Sequence, residues 1–264
     1  MYIADKLIYL QQPKSGSNHI TFILSRLIGG EQLPHHTPIS PSIDRTNKLV
    51  ITSIRDPWDW YISLWSYSHR EDTFFRRQLT NAVCETGIES EMASQKISSD
   101  TAEGDRQQYW NWIYSDKRKP TLFREWLKAL LTTDRVFNLI KPWNHLYPTA
   151  GLETSYHLWL CIGEELGHTG VLTREDLLRA NEEKSVLNDV IRCESLESDL
   201  LRILQKCGYK ITEPQILAIN NMQRMNPSER VGTIQHYFDK SSIDLVAEKE
   251  WFIIDRYGYE APKI

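Results

Sequence analysis

The stretch Leu7–Leu24, LIYLQQPKSGSNHITFIL, decides the fold. Its first four residues, Leu7–Leu10, are an apolar run fit for a buried strand, and Pro13 breaks the run. A short polar turn follows: Lys14, Ser15, Gly16, Ser17, Asn18. Apolar residues then recur at helical spacing at Ile20, Phe22, Ile23, Leu24 and Leu27, with Gly29-Gly30 as the stop. A strand end feeding a helix start presents unpaired backbone N–H groups and the positive end of the helix dipole, which suits an anion. Gly16 allows close approach of the backbone, Ser15, Ser17 and Asn18 add side-chain donors, and Lys14 adds a point charge.

The pattern occurs a second time. KLVITSI (Lys48–Ile54) is rich in β-branched residues and reads as a buried strand ending at Arg55-Asp56-Pro57. WDWYISLWSYS follows, with Trp58, Tyr61, Ile62 and Trp65 at helical spacing. Two strand–turn–helix units predict parallel strands with crossover helices. An Arg at a strand end offers a bidentate phosphate clamp, and Ser63, two turns into the next helix, is placed to face the same phosphate. A separation of roughly 40 residues suits adjacent parallel strands whose turns share one edge of the sheet.

The phosphate loop of nucleoside triphosphatases, G-x-x-x-x-G-K-[ST], places its Lys after the last Gly. Here Lys14 precedes the turn's one Gly, and no Gly lies upstream. An ATP- or GTP-dependent kinase is therefore a rival that lacks its own loop. The order Pro-Lys-Ser-Gly-Ser resembles instead the 5′-phosphosulfate loop of sulfotransferases that use 3′-phosphoadenosine-5′-phosphosulfate (PAPS). RDPWDWYISLW (Arg55–Trp65) resembles that family's 3′-phosphate motif, with Arg55, Asp59 and Ser63 at the matching positions. DVIRCESLESDLL and the C-terminal portion ending in Tyr-Gly-Tyr are similar to later parts of the family, so the resemblance covers about residues 5–70 and 186–262.

The resemblance implies an α/β domain over residues 1–264: three layers around a central parallel β-sheet, the P-loop NTPase-like sulfotransferase fold. Residues 71–150 would be a variable insert on the acceptor side. It implies that Lys14, Ser15, Gly16, Ser17 and Asn18 hold the 5′-phosphosulfate and that Arg55 and Ser63 hold the 3′-phosphate. The Arg-Lys-Gly motif common near the C-terminus of cytosolic members is missing. NPSERVG (Asn226–Gly232) stands in its place, with Arg230 as the substitute ligand. LPHHTP aligns His36 with the family's catalytic His, and His35 or a carboxylate of the insert are the alternatives. Lys14 and His36 are thus the expected catalytic pair, acting on a small-molecule acceptor without a metal. A second rival, a non-catalytic nucleotide-binding protein of the same fold, would keep the loop and lack the base.

Bulk properties agree. The formal net charge of −4 disfavours a general nucleic-acid binder. No apolar window approaches the ~18 residues of a membrane span, and the four-residue run near the N-terminus is too short for a signal peptide. Cys84, Cys161, Cys193 and Cys207 show no C-x-x-C pairing, so reduced thiols in a cytoplasmic protein are expected. Trp58, Trp60 and Trp65 are expected in the core. The aromatic group Tyr109, Trp110, Trp112 and Tyr114 is expected either there or along an acceptor pocket.

Overall fold

The computed structural model describes residues 1–71, 73–80, 108–132, 146, 149–166, 172–225 and 229–264. Its strands are β1 (Tyr2–Ile3), β2 (Leu7–Leu10), β3 (Glu31–Gln32), β4 (Leu49–Ile54) and β5 (Asp189–Arg192), in the order β3-β1-β2-β4-β5. β2, β4 and β5 run parallel, with Leu7 opposite Leu49 and Ile51 opposite Asp189. β1 adds antiparallel to β2, and β3 antiparallel to β1. The sheet is therefore mixed: β2, β4 and β5 are parallel as expected, and the two-residue strands β1 and β3 on one side, too short to carry a pattern, make the difference.

The helices include, in chain order, α1 (Ser17–Leu27), α2 (Pro57–Ser68), α3 (Phe74–Thr80), α4 (Pro120–Thr132), α5 (Leu152–Ile162) and α6 (Arg174–Lys184). They continue with α7 (Leu196–Lys206), α8 (Glu213–Asn220), α9 (Ile234–Tyr237), α10 (Lys240–Lys249) and α11 (Trp251–Tyr257). Alternation along the strands sends side chains to both faces. Leu7, Tyr9, Ile51 and Ile191 pack with α1 and α7, whereas Ile8, Leu10 and Val50 pack with Leu160 and Cys161 of α5. Helices thus cover both faces.

α2 is buried nearly all round, as its sequence of Trp, Tyr, Ile and Leu requires. Trp58, Trp60 and Trp65 lie in the core with Trp126 of α4. The later aromatic group divides: Trp110 and Tyr114 join that core, while Trp112 and Tyr109 remain exposed. The polar stretch 81–107 and DRVFNLI (Asp134–Ile140), for which the sequence suggests a short strand or a helix end, lie outside the described residues.

The apolar pattern of SSIDLVAEKEWFIIDRYGYE (Ser241–Glu260) predicts one C-terminal helix ended by Gly258, whereas the structure has two helices, interrupted at Glu250. The break has a physical cause. Fully buried Glu250 accepts from the Tyr61 hydroxyl at 2.5 Å and from the backbone N–H groups of Glu153 at 3.1 Å and Thr154 at 2.8 Å. A carboxylate from the junction thereby caps the start of α5, whose own N-cap residue, Gly151, has no side chain to do so.

Among the described residues no helix is long and apolar enough to cross a membrane. Cys161, Cys193 and Cys207 are free thiols.

Candidate functional site

Because β2 and β4 are parallel neighbours, the turns that follow them open at the same edge of the sheet. A cavity of about 270 Å³ lies there, and among its lining residues are Lys14, Gly16, Ser17, Asn18, Arg55, Ser63 and Arg230. Seven of the residues expected to bind a nucleotide thus converge on one space, although Arg230 stands far from Lys14 in the chain.

The turn before α1 is held in an unusual form. Lys14 has φ 63, and Gly16, the N-cap, has φ 82, both in the left-handed region. A left-handed Lys is strained by roughly 1–2 kcal/mol, which the surroundings must offset. They do so through the Pro13 carbonyl, which accepts from the Trp60 indole at 2.8 Å, and through the Lys14 carbonyl, which accepts from Arg55 Nη1 at 2.8 Å. Among the described residues no side chain caps α1, so its first-turn N–H groups stay available at the cavity wall formed by Gly16, Ser17 and Asn18.

Arg55 is positioned by three bonds. Besides the Lys14 carbonyl, it holds Asp59, one turn into α2, through Nε at 2.7 Å and Nη2 at 2.6 Å. Arg230 meets the same carboxylate, with Nη1 at 2.5 Å from Oδ1 and Nη2 at 2.8 Å from Oδ2. Burial opposes the charge on Asp59, but the bonds and charges of Arg230 and Arg55 prevail and hold its pKa below the usual value. Asp56 caps α2 by accepting from the Asp59 N–H at 2.9 Å, and Pro57 occupies the first turn. Burial first, then the nearby Asp59 and Glu194, raises the Asp56 pKa to about 6.

The Lys14 ammonium lies over the Tyr67 ring, 4.1 Å from its centroid. Burial, with the charges of Arg55 and Arg70, lowers its pKa to about 8. A cation kept among other cations is favourably placed to receive an anion.

Two expected residues are not on the cavity wall. Ser15 is fully buried beneath the turn, and its hydroxyl donates to the Pro13 carbonyl at 3.3 Å. His36 sits beside the end of β2, where its Nδ1 is 2.7 Å from the Gln11 carbonyl oxygen. A carbonyl only accepts, so Nδ1 carries the proton and Nε2 keeps its lone pair. Burial lowers the His36 pKa, so the ring is neutral at pH 7. The charge of Lys14 is among the groups that act on it.

Three wall residues were not expected: Cys193, Arg224 and Met225. Cys193 directly follows β5, the third parallel strand, so strand-end logic alone points to it. Arg224 is fixed by Glu197 of α7 through Nε at 3.2 Å and Nη2 at 3.1 Å, and no local motif announces it. Asn226, Pro227 and Ser228 of the expected C-terminal motif lie outside the described residues.

Four cationic side chains, Lys14, Arg55, Arg224 and Arg230, therefore line one cavity whose wall includes an uncapped helix start. Such an arrangement binds a small ligand with more than one phosphate-like group. Among the described residues no cluster of three or more His, Cys, Asp and Glu side chains is arranged to hold a metal. Comparison with family models, curated proteins and solved structures finds no match to this chain.

Proposed function

We propose that this chain is a PAPS-dependent sulfotransferase of P-loop-like fold, acting on a small-molecule acceptor. The observation that carries the reading is the convergence of Lys14 and the α1 start with Arg55, Ser63 and Arg230 on one cavity. This is the pairing that the two sequence motifs require. The residues suit the donor's chemistry: the helix start and Lys14 fit the 5′-phosphosulfate, while Arg55, Ser63 and Arg230 fit the 3′-phosphate.

Sulfuryl transfer needs positioning and charge stabilisation more than covalent help from the protein. In this scheme an acceptor hydroxyl or amine attacks sulfur and a new bond to sulfur forms. The bond between sulfur and the phosphate oxygen breaks, leaving adenosine 3′,5′-bisphosphate. Lys14 stabilises the charge that grows on that leaving oxygen. His36 Nε2 takes the acceptor proton, a role matched to its neutral state and to its fixed tautomer.

Titration calorimetry without metal tests the reading, with adenosine 3′,5′-bisphosphate compared against ATP and Mg²⁺. The bisphosphate is expected to bind more tightly, and Arg55→Ala to weaken it roughly thirtyfold, equivalent to about 2 kcal/mol for one charged hydrogen-bonding group. Tighter binding of ATP–Mg²⁺, or normal binding by both Lys14→Ala and Arg55→Ala, would overturn it. Normal nucleotide binding with full activity in His36→Ala would remove His36 as the base and leave the donor assignment standing.

A further inference from the structure

Parallel strands have two ends, and the end opposite the nucleotide cavity also carries a hollow. Its volume is about 390 Å³, and its lining includes Lys6, Asn47, Lys48, Asn188, Lys206 and Cys207. Lys6 precedes β2, Lys48 precedes β4, and Asn188 precedes β5. The strand starts therefore set these groups side by side, just as the strand ends set Lys14 beside Arg55.

Among the described residues the lining holds three ammonium groups and no carboxylate, in a chain whose formal net charge is −4. Two lysines are anchored without using all their donors. Lys48 Nζ donates to the carbonyls of Ala4 at 2.8 Å and Asp5 at 2.6 Å, leaving one of its three N–H bonds. Lys206 Nζ donates to Asp189 at 2.8 Å, leaving two. Lys6 Nζ rests 5.5 Å from the Tyr209 ring centroid, and the Lys6 backbone N–H is fixed by the Tyr209 hydroxyl at 3.0 Å. Asn188 uses its carbonyl oxygen on the Val50 N–H at 2.8 Å, so its amide N–H₂ remains as a donor. The free hydrogen-bonding capacity of these four side chains is mostly donor, and most of it is positively charged. Asp189, the carboxylate that Lys206 meets, is already shared with Arg202 through two bonds.

We propose that this hollow is a second anion site, taking a small diphosphate-bearing molecule and separate from the nucleotide cavity. Three lysine point charges match several phosphate oxygens without demanding one planar geometry, as a bidentate arginine would. The volume exceeds what one phosphate group fills. The site does not depend on the sulfotransferase reading, because it shares no residue with the first cavity.

Cys207 supplies the readout, since its half-buried thiol lies on the wall and is within the influence of Lys206 and Lys6. Alkylation of the full-length chain by iodoacetamide would be followed at the Cys207 peptide by mass spectrometry. Inorganic pyrophosphate is the probe, with sodium chloride at matched ionic strength as control. At about four times its dissociation constant, pyrophosphate is expected to slow the reaction about fivefold. The same protection is expected in Arg55→Ala, and its loss in Lys6→Gln and in Lys6→Gln/Lys206→Gln. Lys6→Gln is the mild variant, because among the described residues the Lys6 ammonium has the Tyr209 ring contact and no ion pair. Equal slowing by chloride, protection that persists in the double variant, or protection that disappears in Arg55→Ala would each overturn the proposal.

Discussion

Arg55 reaches from the end of β4 to the neighbouring turn and donates through Nη1 to the carbonyl oxygen of Lys14 at 2.8 Å. The Lys14 turn and the Arg55 segment are thus one mechanical unit. The guanidinium that faces the cavity also braces the strained residue whose ammonium faces it. Its remaining nitrogens hold Asp59, which in turn holds Arg230.

Replacing Arg55 by Lys keeps the charge and loses the fork. An ammonium on a flexible stem cannot bond the Lys14 carbonyl and both sides of the Asp59 contact in the same geometry. Arg55→Lys is expected to weaken adenosine 3′,5′-bisphosphate about tenfold, equivalent to about 1.4 kcal/mol. Calorimetry reads the loss, and undiminished affinity would show that charge alone suffices at this position.

Gly16 is constrained twice. Its φ of 82 disfavours any side chain, and a Cβ there would stand 2.6 Å from Leu196 Cδ1 at the start of α7. Gly16→Ala is expected to cost about 1–3 kcal/mol of stability and to abolish measurable nucleotide binding. Urea denaturation and calorimetry check the two effects. A stable Gly16→Ala that still bound would mean that the turn adapts without its glycine.

The parts of the site that are local in sequence could be read directly. Pro13–Asn18 and Arg55–Ser63 each carry a strand end, a turn residue and a helix start within a few positions, so periodicity and turn chemistry suffice. Arg224 could not be found that way, because it earns its place through Glu197, a partner on another helix. Ser15 looked equivalent to Ser17 in the loop, but the left-handed backbone on either side of it accompanies a hydroxyl turned toward Pro13. The break at Glu250 was hidden for a similar reason. Its apolar neighbours continue a helical pattern, and only packing against Tyr61 and α5 reveals what the carboxylate does.

That break yields a stability prediction. Glu250 accepts three hydrogen bonds inside the core, and a Cβ on Gly151 would collide with its carboxylate. Glu250→Ala leaves the Tyr61 hydroxyl and two α5 amides without that partner, at a cost of about 3 kcal/mol or more. The measurement is the denaturant midpoint. A loss below about 1 kcal/mol would mean that water replaces the carboxylate fully.

On the proposed reading His36 should separate binding from turnover, because it is not among the residues lining the cavity of Lys14 and Arg55. His36→Gln is expected to leave the bisphosphate affinity unchanged while lowering kcat by about 10²–10⁴, the usual worth of a general base. Burial lowers the His36 pKa, so the acid limb of kcat/KM should fall below pH 6.5, the ordinary imidazole value. A drop in affinity that matched the drop in kcat would assign His36 to ligand binding instead.

Lys14 gives binding and stability opposite pH slopes. Burial, reinforced by Arg55 and Arg70, lowers its pKa from 10.5 to about 8 in the folded chain. Between those values the unfolded chain holds the extra proton, so the Lys14 contribution to stability rises with pH across that window. Anion binding needs the ammonium and raises its pKa again, so the bound form takes up a proton above pH 8. Affinity for adenosine 3′,5′-bisphosphate should therefore fall by up to about tenfold per pH unit above 8. The phosphate groups have second pKa values of about 6, so they do not titrate in that range. Calorimetry at pH 8.5–9 in buffers of different ionisation enthalpy should show uptake approaching one proton. At pH 6.5 the Lys14 uptake should vanish, because the ammonium is already formed. Lys14→Met should bind weakly and lack the uptake at pH 8.5–9; if the variant took up the same proton there, the titrating group would lie elsewhere in the cavity.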